Sequence, residues 1–247
     1  MKETLLQTIS SQDYGLSPED FRSLDDRTVV VKKWSWDYGM AHAFQRKMVD
    51  FLQLHPRARI LICCNHPRVL TNGRGLQKAK KGETLDLVDF NPKNYSSLPF
   101  PLVQIERGGG LTFHHPGQFI FYPILKLNPQ TLSLSKMIDE IFEITESILN
   151  ECGLEGLTHQ HKLLGLWLET KKIASMGIAI EKLTTFHGMA LNLFKDEEMK
   201  KALTVLNPCG LSADTYSSVE ELISKEKTST LDQFSDEFIK RIQHAWK

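Results

Sequence analysis

Residues 163–193 read LLGLWLETKKIASMGIAIEKLTTFHGMALNL, and this stretch decides the fold class. Leu163–Leu168, Lys172–Ile180 and Thr184–Leu193 are strand-like runs separated by Glu-Thr-Lys and Glu-Lys turns, which predicts an antiparallel meander. Just upstream, Leu134–Cys152 has the strongest helical pattern in the chain. Ile138, Ile141, Phe142, Ile144, Thr145 and Ile148 recur at three and four residues, and Ser133 or Ser135 can cap the start. Further out, Thr28–Lys33 and Arg59–Asn65 have strand length and composition, whereas Met40–Leu54 has helical spacing ended by His55-Pro56. Leu102–Glu106 and Gln118–Leu125 read as strands flanking a glycine-rich turn, and Gly73–Pro101 as a long polar excursion. Asp196–Leu206, Ser218–Lys225 and Leu231–Trp246 read as helices. Strands and helices mix without regular alternation. The expectation is therefore an α+β fold, a mixed β-sheet packed with helices on one side, in a single domain over residues 1–247.

Lysine plus arginine and aspartate plus glutamate balance at 30 each, so no overall basic field argues for nucleic acid or an anionic membrane. The longest apolar runs, Ile60–Cys64 and Phe119–Leu125, fall far short of the about 20 residues of a membrane helix. The N-terminal stretch has acids at Glu3, Asp13, Glu19 and Asp20 and no long apolar core, unlike a signal or transit peptide. A soluble, cytoplasmic protein is expected. The four cysteines, Cys63, Cys64, Cys152 and Cys209, match no metal or C-x-x-C spacing and are expected to be free thiols. Adjacent Cys63 and Cys64 face opposite ways if their segment is a strand.

The densest unusual segment is RGGGLTFHHPGQ, Arg107–Gln118. Its three glycines allow positive φ and close approach to a ligand, and their N–H groups can hold an oxygen. A plain glycine-bulged hairpin is the bland alternative. Arg107, Thr112, His114, His115 and Gln118 make the segment more polar than such a turn requires. There is no G-x-x-x-x-G-K-[ST] nucleotide loop, no G-x-S-x-G elbow and no H-E-x-x-H zinc helix. His159-x-His161 lacks a third ligand nearby and reads as a solvated loop. Cys209 stands between Pro208 and Gly210, on a sharp turn after a helix, where a thiol and neighbouring N–H groups are displayed together. A free cysteine is also often just a small buried hydrophobe. An unperturbed thiol is only about 3% thiolate at neutral pH, so a nucleophile needs a cationic partner. Lys172, His114 and His187 are the candidates. The residues by themselves lead to a thiol acyltransferase and no further.

Taken together, these segments resemble the lipoyl (octanoyl) transferases of lipoate biosynthesis. The family pattern R-G-G-x-x-T-[YF]-H-G-P-G-Q is similar to Arg107–Gln118, and K-I-[AC]-S-[IL]-G to Lys172–Gly177. The pattern [YF]-H-G-[FL]-A-L-N is similar to Phe186–Asn192, P-C-G to Pro208–Gly210, and H-P-x-V-x-T-x-G to His66–Gly73. The resemblance implies the fold of biotin and lipoate protein ligases and no cofactor or metal. It implies transfer of an octanoyl group from octanoyl-acyl carrier protein to a lysine of lipoyl domains, in 2-oxoacid dehydrogenase complexes and the glycine cleavage H protein. Cys209 would carry the acyl group as a thioester, and Lys172 would lower its pKa and act as acid and base. Arg107, Gly108, Gly109, Gly110, Leu111, Thr112, Phe113 and His114 would line the site. So would Ser175, Met176 and Gly177, and Gly188, Met189 and Ala190, with Leu111, Phe113, Met176 and Met189 supplying an apolar tunnel. Two positions depart from the family. His115 replaces a glycine and is expected to narrow the pocket or alter the preferred acyl length, and Leu163-Leu164 replaces a proline and a hydrophobe. The rival readings are an ATP-dependent lipoate or biotin-type ligase and a non-catalytic relative that binds acyl or lipoyl-domain partners.

Overall fold

The apolar run Arg59–Cys64 lies at the middle of the molecule, and its two faces build two cores. In the computed structural model, which describes residues 1–75, 100–160, 163–206 and 211–246, the elements follow in this order. They are α1 (Lys2–Thr8), β1 (Phe21–Ser23), β2 (Thr28–Lys33), α2 (Tyr38–Leu54), β3 (Arg59–Cys64) and β4 (Val69–Gly75). Next come β5 (Leu102–Gln104), β6 (Gly109–His114), β7 (Gln118–Leu125), α3 (Leu134–Glu151), β8 (Leu157–Gln160) and β9 (Gly165–Leu168). The chain continues through β10 (Lys171–Lys172), β11 (Ala174–Glu181), β12 (Thr184–Asn192), α4 (Glu197–Leu206), α5 (Val219–Ile223) and α6 (Leu231–Ala245). Cys209, His161 and most of the polar excursion after Gly75 lie outside the described residues.

Six strands form the main sheet in the order β1-β2-β3-β7-β12-β11, antiparallel except for β2 and β3. Along β3, Leu61 and Cys63 join a core with α3 and α6, while Ile60, Ile62 and Cys64 join one with α1 and α2. β7 divides the same way. Phe119, Phe121 and Leu125 face α6, and Ile120, Tyr122 and Ile124 face α2. Strands apolar on both faces demand cover on both sides, so helices pack on each face rather than on one as expected. The two cysteines do point to opposite sides. The α+β class stands, but the one mixed sheet is replaced by three sheets among the described residues.

Two small sheets account for the other differences. β4 pairs with β5 and β6, so the glycine-rich segment expected as a turn is itself a strand from Gly109 onward. β5 and β7 are therefore not hairpin partners. The expected meander is broken at Ile173. Lys172 pairs with Trp167 on β9, whereas Ala174 pairs with Leu191 on β12. Ile173 ties the two sheets, its N–H donating to the Leu166 carbonyl and its carbonyl accepting from the Asn192 N–H. His159, expected in a solvated loop, lies on β8 with its ring stacked 5.7 Å from Phe142. Alternation specifies a strand but not its neighbour, which explains all three differences.

The helices start where their caps sit. Asp37 Oδ1 accepts from the Met40 N–H at 2.9 Å, which begins α2 two residues earlier than its apolar pattern. Ser133 caps α3, and Thr230 with Gln233 makes a capping box on α6. Between β12 and β7, Gly188 allows a close approach. A Cβ there would be driven into the Phe121 carbonyl and would stand 2.9 Å from Pro123 Cδ. Gly188→Ala is therefore expected to push the two central strands apart and lower stability by about 3 kcal/mol, read as the shift in the urea midpoint.

Candidate active site

The site is built around a guanidinium that faces inward. Arg107 is buried, and Nη1 donates to the carbonyls of Gly110 (2.9 Å) and Gly108 (3.1 Å). Nη2 donates to the carbonyl and hydroxyl of Thr71 on β4, both at 2.9 Å. These bonds fix the glycine segment against β4. Gly109 alone of the three glycines takes positive φ, +79°, and the Gly108 N–H reaches the Ile178 carbonyl of β11. Gly177 on β11 lets the Arg107 stem pass, since a Cβ there would stand 2.9 Å from Arg107 Cδ.

Gln118, at the start of β7, sets the next layer. Its amide nitrogen donates to the Phe113 carbonyl (3.1 Å) and to Asn192 Oδ1 (2.9 Å), so its oxygen must accept. The His114 ring meets that oxygen through Nδ1 at 3.1 Å, which assigns the proton to Nδ1. His114 Nε2 then accepts from the Thr71 hydroxyl at 3.3 Å. The ring stacks on Tyr38, centroids 5.6 Å apart. Burial drives the His114 pKa well below the ordinary histidine range, so the ring is neutral at neutral pH.

His115 corrects an expectation. Its ring does not line the cavity. It is fully buried, and its Nδ1 accepts from the Gly117 N–H at 3.2 Å. Asp196 lies toward the same side and caps α4 through the Met199 N–H, while Arg68 Nη2 reaches Asp196 at 2.8 Å. Burial lowers the His115 pKa to about 4, only partly opposed by Asp196. The other departure, Leu163-Leu164, does reach the cavity wall.

The cavity encloses about 490 Å³, within the range of small-molecule sites. Arg107 through His114, Ser175 through Gly177 and Gly188 through Ala190 all contribute to its wall, as does Lys172. Lys172 is buried on β10 with Nζ 5.3 Å from the Trp167 ring, whereas its neighbour Lys171 is exposed and donates to the Asp214 carbonyl. Leu134 and Ile138 of α3, with Met176 and Met189, add apolar side chains to the cavity wall. Met199 and Leu203 of α4, and Tyr216, complete the wall on either side of the segment that contains Cys209. Sequence reasoning passed over Tyr38, Glu106, Tyr122, Asn192 and these helix residues. Only the i, i+4 spacing of Leu134 with Ile138 and of Met199 with Leu203 could have hinted at a shared face.

A second cluster borders the cavity. Glu106 Oε2 is 2.8 Å from His42 Nε2 and 3.7 Å from His187 Nε2, and the two imidazoles stack with centroids 5.3 Å apart. The facing His187, with His42, holds the Glu106 carboxyl at about 2 against the opposing effect of burial. Burial takes the His187 pKa to about 4. His187 also has a left-handed backbone, φ 58°, held by its N–H bond to Gln45 Oε1 at 2.8 Å. Two of the three candidate cations, His114 and His187, are thus neutral at neutral pH.

The buried histidines make stability depend on pH. A histidine with a folded pKa near 4 and an unfolded value near 6.5 contributes stability that is complete above about 6.5 and lost as pH falls toward 4. The urea midpoint should fall steadily over that window. His115→Gly should lose about 2–4 kcal/mol at pH 7, flatten part of the slope and leave the cavity unaltered, as read by urea titrations at several pH values.

With this geometry in view, comparison with known proteins is informative. Residues 37–243 match the family described as the lipoyl protein ligase A/B catalytic domain. The chain is 34% identical to an octanoyltransferase of Synechococcus elongatus over 193 residues, covering 78% of this chain and 77% of that one. It is 31% identical to an octanoyltransferase of Syntrophobacter fumaroxidans, covering 77% and 78% of the two chains. A chloroplastic octanoyltransferase of Arabidopsis thaliana is 30% identical over 89% of this chain and 74% of its own. Among solved structures, a lipoate-protein ligase A bound with ATP superposes with TM-score 0.58 at 14% identity, covering 90% and 85%. A bipartite lipoate protein ligase of Thermoplasma acidophilum, studied with its E2 lipoyl domain, gives 0.55 at 16% identity, covering 90% and 84%. The arrangement of strands and helices is that of these ligases, and the chain belongs to the lipoyl protein ligase A/B catalytic-domain family.

Proposed function

We propose that this chain is an octanoyltransferase that takes an octanoyl group from octanoyl-acyl carrier protein onto Cys209 and passes it to a lysine amine of a lipoyl domain. The observation that carries the reading is convergence on one cavity. Lys172, the glycine segment, β11, β12 and the chain on both sides of the Cys209 segment all contribute to its wall, in a protein 30–34% identical to named octanoyltransferases. In the first step the Cys209 thiolate attacks the carrier thioester, and the carrier thiol leaves with a proton. In the second the lysine amine attacks the Cys209 thioester, and the thiol is released. Lys172 would stabilise the thiolate and carry the proton between the steps. The Gly108 N–H is bonded to the Ile178 carbonyl, so the N–H groups of Gly109, Gly110 and Gly188 would be the ones to face the developing oxyanion. Both acyl transfers start from a thioester, so neither requires ATP.

The apolar part of the wall, including Leu163, Leu164, Met176 and Met189, would hold the acyl chain. At about 0.8 kcal/mol per buried methylene, an octyl tail contributes about 5 kcal/mol. One methylene more or less changes that by only about 1 kcal/mol, so length preference would rest on the shape of the cavity rather than on hydrophobicity. The acceptors would be lipoyl domains of 2-oxoacid dehydrogenase complexes and the glycine cleavage H protein, and the setting cytoplasmic. Among the described residues no helix is long and apolar enough to cross a membrane. The fold is shared with ligases that use ATP, so fold alone does not choose between the two chemistries. The sequence similarity to octanoyltransferases favours transfer.

Intact-protein mass spectrometry after mixing with octanoyl-acyl carrier protein tests the reading. An octanoyl-sized adduct is expected on the wild type, discharged by a lipoyl domain, and none on Cys209→Ala. An equal adduct on Cys209→Ala, or none on either protein with ligation appearing only when ATP and free acid are added, would overturn it. Lys172→Ala should slow adduct formation by about 10²–10⁴-fold, and Lys171→Ala should leave it near the wild-type rate.

A further inference from the structure

We propose that His42, Glu106 and His187 form a binding site for one divalent transition-metal ion of the zinc or cobalt class, set in the cavity wall. The three residues come from α2, from the segment before the glycine strand, and from β12, so no local pattern unites them. One nitrogen from each ring and one carboxylate oxygen lie within 4.8 Å of one another. The rings are nearly parallel, 20° apart, and Nε2 of each is directed to the same carboxylate oxygen. His42 takes the hydrogen bond at 2.8 Å. His187 Nε2, at 3.7 Å, is buried and has no hydrogen-bond partner among the described residues. A single ion between the three atoms would satisfy all of them.

The donor set identifies the class of ion. Two imidazoles and one carboxylate suit zinc, cobalt and related ions, whereas magnesium and calcium favour all-oxygen shells. Metal–ligand bonds of about 2.0–2.2 Å in a tetrahedron place donors about 3.4 Å apart, and the two contacts to Glu106 at 2.8 and 3.7 Å bracket that spacing. Preorganisation is built in, because the His187 main chain is pinned by Gln45 and its ring is walled by His42. Glu106 and His187 line the cavity and His42 does not, so remaining coordination positions would face the cavity. Arg46 opposes the ion, with Nε 3.9 Å from the other Glu106 oxygen, but its Nη1 is paired with Glu181 at 2.8 Å. Arg107 adds a second nearby cation, hydrogen-bonded to Thr71, Gly108 and Gly110.

Cobalt(II) titration of the full chain, followed by visible absorption, tests the site. A Cys209→Ala background removes the proposed nucleophilic thiol as a competing ligand. Saturable one-to-one binding is expected, weakened about tenfold or more by Glu106→Gln and by His42→Ala, and unchanged by His159→Ala. Zinc should raise the melting temperature of the parent and not of His42→Ala. His42 is partly exposed, so that variant is informative even if Glu106→Gln folds poorly. No saturable binding, equal affinity in both variants, or a thiolate-to-cobalt absorption band would overturn the proposal.

Discussion

A guanidinium taken out of water costs several kcal/mol unless its N–H groups find acceptors, and Arg107 finds three backbone carbonyls and the Thr71 hydroxyl. The consequence is geometric. Gly108 and Gly110 are bound by the charge they enclose, Thr71 joins them to the neighbouring strand, and the segment cannot relax into an ordinary turn. The same arginine passes beside Gly177, so β11 can approach only where a side chain is missing. A residue that looks from its type like an anion receptor is thus first the frame of the pocket. Arg107 and the three glycines after it all line the cavity.

Gln118 performs a similar task at the opposite end of the strand. One amide bonds Phe113, Asn192, His114 and the His115 N–H, and so joins three strands at the corner where β6 turns into β7. Such a fully satisfied polar group in a low-dielectric interior is rigid, and it dictates the tautomer of its neighbour. Burial then keeps His66, His114 and His187 uncharged, so the pocket is polar without being strongly basic. The ionic side chains of the cavity wall are then Arg74, Glu106, Arg107 and Lys172.

The family shares its fold with enzymes that differ in how the acyl group is activated. In this chain the glycine strand, β11 and β12 line one cavity together with Lys172, Met199, Leu203 and Tyr216. Asp196 anchors the start of α4, with Arg68 bridging from the H-P-R segment. His115 packs toward this anchor instead of the pocket, which is why a bulky ring is tolerated where relatives of this pattern have glycine.

By itself the sequence determined every described α-helix except α1 and, although β4 and β6 escaped it, the strands β2, β3, β7, β11 and β12, the opposed faces of Cys63 and Cys64, and the family through ordered blocks of residues. These follow from short-range rules, because periods of 2 and 3.6 and capping residues act within a few positions of the chain. Tertiary structure decided the rest. It split the expected meander at Ile173, covered both faces of the main sheet, and placed Lys172 inside while Lys171 faces water. It also brought His42 and His187 to one oxygen of Glu106, from positions 64 and 81 residues away. Strand partnership, burial of a charge and convergence of distant side chains depend on register between remote segments, and no local pattern encodes register.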